Sequence, residues 1–526
     1  MPRKRLVAAG DSETDPFLFG RIPRPFAWGL LFTDGQRFMT WGKNCTKEFV
    51  DYLLDIDYPT EIYMHNGGKF DFHFLLPYAN KYEDVKIING RIATMCIGQV
   101  KLIDSFLLMP FALEKFRKTK INYDIFEKEE REKPKNKAAI KSYLMDDCRD
   151  LLELVTGFHK IVGKKLTIGG AAFANMKKLG HEIPNLGAHH DEKFRKFYYG
   201  GRVQTFKKGI FNKRLKYLDI NSAYPYAMTF EHPTGDNYII SDKLPPLKKL
   251  GPQFVTLTAI SKGALPVREK DGLHFPCDDL PTLFNVTGWE IKAGLETKTL
   301  KIIQVHSVYT PAMTQNYSKF IKFCYDGRLK AKKVKNKIMD LAYKYLSNSG
   351  YGKFATDPEK FKEYMFAEFG ESIEDYDWET DFNNEVSLWS KPSNIDDRSY
   401  YDVATAASIT GFVRAFLWRS ICNCKNVYYC DTDSIICSSH NLHLSEKLGD
   451  WKLEGVLSKA YIAGKKLYAG YVQKTKEWKI ACKGAQLKPI DIKNVALGKT
   501  VRWQNIAPTF SVKKDASFIE RDIKIA

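Results

Sequence analysis

No apolar run in this sequence is long enough to span a bilayer, and its opening, MPRKRLVAAG, lacks the apolar stretch of a secretory signal. These absences exclude a helical membrane protein, and a soluble, intracellular protein is expected. Ten cysteines are present but form no repeated CxxC pairs, which argues against a disulfide framework and fits reduced thiols. The spacing of their one cluster, Cys422, Cys424, Cys430 and Cys437, matches no common zinc pattern. Acidic residues are under-represented: 62 Asp and Glu face 81 Lys and Arg, a formal net charge of +19. A polyanionic partner is favoured, nucleic acid first, although ribosomal and membrane-surface proteins share such a balance. A length of 526 residues exceeds one ordinary core and implies several domains.

The amino-terminal third places carboxylates where they are costly. Leu6 to Ala9 reads as an apolar strand that delivers Asp11 and Glu13 on one side of the backbone; alone, a DxE pair is often just a solvated turn. The segment EIYMHNGGKFDFHFLL runs through His65, Asn66, Gly67 and Gly68 to Asp71, set among Phe70, Phe72 and Phe74. An unpaired carboxylate buried there is expensive, and either a cation or a helix-cap hydrogen bond would offset the cost. In AAIKSYLMDDCRDLLELV, read as a helix, Tyr143 and Asp147 are four apart and share a face. Such carboxylates suit two divalent ions about 3.5–4 Å apart, the arrangement that hydrolyses phosphodiesters.

A second set follows. KYLDINSAYPYAM reads as a strand ending at Asp219, a turn, and a helix start at Ser222. NVYYCDTDSIICS reads as a hairpin with Asp431, Thr432 and Asp433 at its tip, although Asp is also an ordinary turn residue. Between them, DGRLKAKKVKNKIMDLAYKYLSNSGYG reads as one long basic helical pattern in which Lys330, Lys333, Lys337 and Lys344 line one face. A positive stripe suits a triphosphate; a solvated lysine face is the alternative, against which the ending Asn348, Ser349, Tyr351 and Gly352 weighs.

In order and residue type, the first three segments resemble the motifs of DEDDy proofreading exonucleases, and the later three resemble motifs A, B and C of family B DNA polymerases. The chain is similar to the protein-primed branch of that family, the small replicases of Bacillus phages. The resemblance implies an α/β and α+β multidomain protein, an RNase H-like 3′–5′ exonuclease followed by a right-hand polymerase. By it, Asp11, Glu13, Asp71 and Asp147 are metal ligands and Tyr143 orients the attacking water. Asp219 and Asp433 bind the polymerase metals, Asp431 supports them, and Lys344 meets the phosphates of the incoming dNTP, with Arg328 and Lys337 as further candidates. Tyr224 excludes a 2′-hydroxyl, while Asn348 and Tyr351 line the nascent base pair. Two Mg2+ or Mn2+ ions per site are implied.

The same resemblance suggests that Thr14, His65, Asn66, Phe70, Phe74, Ser105 and Phe106 hold the frayed primer end, with Lys120 or Lys118 on the scissile phosphate. Tyr198, Gly200 and Gly201 match the YxGG segment that holds template. Thr410 and Arg414 match a template-touching element, and Lys466 and Tyr468 match the KxY element at the primer terminus. Ser12 and Gly350 stand where the family usually has larger apolar residues, and Val413 where it has a smaller one.

The implied organisation is an exonuclease domain over 1–165, palm over 166–229, an insertion over 230–315, fingers over 316–354, a second insertion over 355–400, palm again over 401–484 and thumb over 485–526. The insertions resemble the terminal-protein regions TPR1 and TPR2, which imply a priming protein and strand displacement. The second is acidic, with Glu359, Glu363, Glu368, Glu371, Glu374, Asp375, Asp377, Glu379 and Asp381, so it could mimic DNA, face a basic partner or repel template. The expected partners are primer-template DNA and a terminal protein, and the expected state is a monomer in the host cytoplasm. Alternatives are a polymerase of this fold that uses ordinary or self-made primers, a non-catalytic DNA-binding scaffold, and an RNA-directed or RNA-making enzyme. Tyr224 and the editing domain argue against the last.

Overall fold

The contiguous apolar run at its start makes Leu6–Thr14 an interior strand of a seven-stranded sheet. It pairs in parallel with Thr60–Met64, which pairs in parallel with Val100–Asp104. Pro25–Phe32 and Arg37–Trp41 extend one edge antiparallel, and Arg91–Ile97 with Lys86–Ile88 the other. The helix Cys45–Leu54 buries Phe49 and Leu53 beneath the sheet beside Trp28 and Phe32. The long helix Pro134–Val162 presses Leu144 against Gly29, where a Cβ would come within 2.9 Å of it. The structure is a computed structural model that describes residues 6–80, 84–117, 119–270, 272–357, 362–382, 386–512 and 514–525; Lys118 and Glu359 lie outside them.

The second large sheet has eight strands. Leu215–Ile220 lies between Trp451–Gly464 and Ser434–His440, both antiparallel to it. Cys424–Asp431 follows, then Val203–Thr205; Leu467–Val472 and Glu477–Cys482 extend the far side. Cys430 and Cys437 are buried strand residues, and all ten cysteines are free thiols. The helix Val403–Cys422 is buried on almost every side, as its nearly continuous apolar sequence requires. One of its neighbours is the helix Gly288–Glu296, whose capping box uses Thr287 and Glu290.

Residues 230–315 carry a four-stranded sheet, Tyr238–Ser241, Leu300–Pro311, Phe254–Ser261 and Thr282–Thr287. Residues 362–392 contribute three strands, Lys362–Glu368, Val386–Pro392 and Asp377–Phe382. Tyr364 and Phe366 turn inward, while Glu363 and Glu368 are exposed. Phe366 and Leu388 share a core with the amino-terminal sheet and with Val512 near the carboxyl terminus.

One expected element is corrected. The basic segment is not a single helix but two, Ser318–Lys333 and Lys337–Ser349, packed on each other. Lys335 adopts φ 54° at the break, and the Asn336 side chain caps the second helix by accepting from the Met339 amide. Lys330 and Lys333 therefore sit on one helix and Lys337 and Lys344 on the other, not on a common stripe.

The HNGGK turn shows how tightly the amino-terminal domain is assembled. A Cβ on Gly68 would lie 1.9 Å from the Ile92 carbonyl oxygen, whereas one on Gly200 meets nothing within 4 Å. Gly68→Ala is expected to destabilise this domain by about 3 kcal/mol or more, since backbone must move. Thermal unfolding followed by hydrogen exchange should show the loss there, with Gly200→Ala folding like the parent.

Candidate active sites

In the amino-terminal sheet, Asp11 and Glu13 leave the central strand beside Asp71, the first residue of the helix Asp71–Leu75, and Asp147 on Pro134–Val162. Burial first, and then the neighbouring charges of Asp71, Glu13 and Asp147, hold Asp11 well above the usual carboxylate range. Glu13 is raised by burial and then by Asp147 and Asp71. Asp71 and Asp147 are each pushed up to about 6, chiefly by burial. Ser12 donates to Asp71 Oδ1 at 2.5 Å, so the small residue at position 12 braces a neighbouring carboxylate. Glu13 Oε1 is buried without a hydrogen-bond partner, and among the described residues no ion pair reaches any of the four. Such a donor set fits a divalent cation, although among the described residues no three acidic, His or Cys side chains already form a closed ligand set.

In the second sheet, Asp219 stands opposite Ser434, just past the hairpin turn that carries Asp433. Burial, then the charges of Asp433 and Glu454, push Asp219 up to about 7; burial and Asp431 push Asp433 up to about 6. Asp431 differs, because Lys466 Nζ donates to both its carboxylate oxygens at 2.8 Å. Tyr224, on the short helix Ala223–Ala227, stacks on Tyr351 with ring centroids 3.8 Å apart and planes 8° from parallel.

A family model for DNA polymerase type B, organellar and viral, matches residues 114–447. The DNA-directed DNA polymerase of Enterobacteria phage PRD1 is 38% identical, over 98% of this chain and 98% of its own length. The chain belongs to the family B DNA polymerases of the organellar and viral type. The resemblance to the protein-primed branch stands with it. A DNA polymerase of Kluyveromyces lactis is 24% identical over 82% of this chain and 53% of its own. Phi29 DNA polymerase complexed with primer-template DNA shares the fold, with a TM-score of 0.74 at 16% identity over 99% of this chain and 100% of that one. Its complex with single-stranded DNA gives a TM-score of 0.73 at 16% identity, over the same shares of the two chains.

Several residues expected to touch DNA are engaged elsewhere in the polymerase. Arg414 is 2% exposed; its guanidinium holds Glu290 at 2.8 Å and the carbonyls of Tyr199 and Gly200 at 2.6 and 2.9 Å. Thr410 is buried on the same helix. Arg414 therefore supports the YxGG segment from behind, while Thr410 donates to the Ala407 carbonyl within its own helix. Gly201 is packed against Thr432, 2.7 Å from where its Cβ would be, while Gly200 is exposed and open. Tyr198 is half-buried, and its carbonyl accepts from Arg268. Tyr468 is buried against Tyr429, so it too braces the site from within.

In the fingers, Lys344 is pushed down by burial and then by Arg328 and Lys115, with Asp340 and Asp219 opposing. Arg328 is paired to Asp340 at 3.0 Å, and Lys337 donates to the Phe116 carbonyl at 2.7 Å. Asn348 donates to the Lys344 carbonyl at 3.0 Å. In the nuclease, both ring nitrogens of His65 are occupied, by Ser105 at 3.0 Å and the Phe111 carbonyl at 2.8 Å. Burial holds its pKa near 4, so it is a neutral brace and not a phosphate cation. Ser105 is buried in the same bond. Asn66 accepts from Arg91, whose guanidinium covers the Phe106 ring. Thr14 donates to the Asp15 carbonyl, and Lys120 is exposed.

Sequence reasoning missed two contributors. Phe510, from the carboxy-terminal hairpin Thr509–Ser511 with Lys514–Ser517, packs against Phe70, Phe74 and His73. It forms one wall of a cleft of about 470 Å³ that also contains Asp11, Asn66 and Asp71. Lys479 donates to the Tyr217 hydroxyl at 2.6 Å and lies within electrostatic reach of Asp219 and Asp433. Neither sits in a local pattern that a sequence could reveal, since only the fold brings it near the carboxylates.

A carboxyl raised to about 7 in the folded chain against 3.8 in its absence costs stability above pH 7, and the cost shrinks as pH falls toward 4. In a chelator at pH 8, Asp219→Asn is therefore expected to be more stable than the parent by about 1–3 kcal/mol, the gain fading toward acid pH. Denaturant unfolding across pH checks this; equal stability at pH 8 would contradict the strained carboxylate.

Proposed function

We propose that this polymerase extends a DNA primer on a DNA template at Asp219 and Asp433, and degrades mismatched primer ends 3′ to 5′ at Asp11, Glu13, Asp71 and Asp147. The observation that carries the reading is the pair of separate carboxylate clusters, one on each sheet, whose carboxyls are raised by burial and by each other. In both, Mg2+ or Mn2+ would activate an oxygen nucleophile and neutralise charge on the leaving group. Asp219 and Asp433 would hold these ions in the palm, while Lys466 keeps Asp431 neutralised and fixed beside them. Lys344, a partly desolvated cation, supplies charge for the triphosphate. At the nuclease site, Asp147 accepts from Tyr143, a pair that would orient one attacking water, and Phe70, Phe74 and Phe510 offer rings on which frayed bases can stack.

Protein priming is supported by the two inserted sheets at 230–315 and 355–400, and strand displacement by the packing of the second against the nuclease domain. Tyr224, held face to face with Tyr351, would meet the sugar of an incoming nucleotide and exclude a 2′-hydroxyl.

Asp433→Ala should lose extension by at least about 1,000-fold and keep degradation, and Asp11→Ala/Glu13→Ala should do the reverse. A labelled 3′-recessed duplex with Mg2+ reports both activities at once; a wild type that does neither sinks the reading. Incubating the polymerase with a terminal protein and one labelled dNTP tests priming, for which a covalent protein–nucleotide product is expected. Tyr224→Val should raise ribonucleotide incorporation by about tenfold or more, and equal use of both sugars by the wild type would remove the gate from Tyr224.

A further inference from the structure

Tyr123 is a residue that no motif accounts for. It opens the short turn Tyr123–Phe126, fixed by the Asn122 side chain accepting from the Asp124 amide. Its ring is 62% exposed, yet its hydroxyl stands 3.4 Å from that of Tyr143. The buried ring of Phe126 contacts both tyrosines, at 5.3 and 6.4 Å between centroids, and so holds them in register. Tyr123 also lines a cavity of about 440 Å³ shared with Ser12, Glu13, Phe70 and Ile506. It thus lines the same cavity as one carboxylate of the cluster.

The Tyr143 hydroxyl lies between two partners, Tyr123 and the Asp147 carboxylate. A phenol has one proton to give. Donated to Asp147, it leaves the Tyr143 oxygen free to accept from Tyr123, and the lone pair that remains can only point at a water in the cluster. Without Tyr123, that hydroxyl rotates between acceptors.

We propose that Tyr123 is a positioning residue of the exonuclease site, its hydroxyl fixing the direction of the Tyr143 hydroxyl and through it the attacking water. The inference rests on the hydrolytic reading of this site. The test is steady-state degradation of a 5′-labelled single-stranded oligonucleotide by wild type, Tyr123→Phe, Tyr143→Phe and the double variant, in Mg2+, with matched-primer extension as the control for folding. Tyr123→Phe keeps the ring and its stacking, so kcat should fall about tenfold, the worth of one orienting hydrogen bond, with KM unchanged. In the Tyr143→Phe background the same change should cost nothing. A Tyr123→Phe enzyme with wild-type kcat, a loss confined to KM, or losses that multiply in the double variant would each overturn the proposal. A wild type that extends primers but degrades none would instead remove the hydrolytic reading beneath it.

Discussion

Repulsion between carboxylates held out of water is the constraint on which both halves of this polymerase depend. Like charges in a low-dielectric setting drive each other toward protonation, and the chain keeps them together only by mounting them on its stiffest parts. Asp11 and Glu13 share a strand hydrogen-bonded on both edges, and Asp219 lies on a strand paired on both edges. Their partners arrive from a helix start, a long helix and a hairpin tip. The two clusters differ in how far the protein itself relieves them. In the palm, Lys466 neutralises Asp431, and Lys479 and Lys452 lower Asp219. No side-chain cation is among the causes acting on the nuclease carboxylates, where Ser12 is the principal brace.

The link between nuclease and palm rests on a second buried charge. Arg414 and Glu290 are nearly inaccessible, and the pair joins the long palm helix to the helix of the first inserted sheet. Burying such a pair is costly unless its remaining hydrogen bonds are made. Two of the Arg414 bonds go to the carbonyls of Tyr199 and Gly200, which fixes the backbone entering the palm. One residue on, Gly201 lies against Thr432 at the hairpin tip, and the Thr432 amide donates to the Arg202 carbonyl. The segment between the two large sheets is thereby tied to the loop that carries Asp433.

The motif carboxylates were legible because their neighbours in sequence are also their neighbours in function: a strand end, a helix turn or a hairpin tip is a local structure. The reading failed where tertiary context decided. Lysine periodicity ran through residues 326–352 without interruption, and only the capping side chain of Asn336 and the φ of Lys335 divide the segment. Arg414, Tyr468 and His65 have residue types suited to gripping DNA, but each spends its polar atoms or its ring inside the protein. Their burial depends on residues as distant as Glu290 and Phe111, which no local pattern records.

The acidic sheet at 362–392 shows why composition alone misplaces a segment. Glu363 is exposed on the first strand, while Tyr364, Phe366 and Leu388 join the core of the amino-terminal domain. Val512, near the opposite end of the sequence, closes the same core, and Phe510 beside it covers Phe70 and Phe74. The amino-terminal domain is therefore not finished by its own residues: a strand pair inserted after the fingers and a hairpin from the carboxyl terminus cover apolar surface it would otherwise expose. One wall of the amino-terminal cleft thus comes from that last hairpin. Physical coupling of the two carboxylate clusters then runs through packing rather than through direct contact between them.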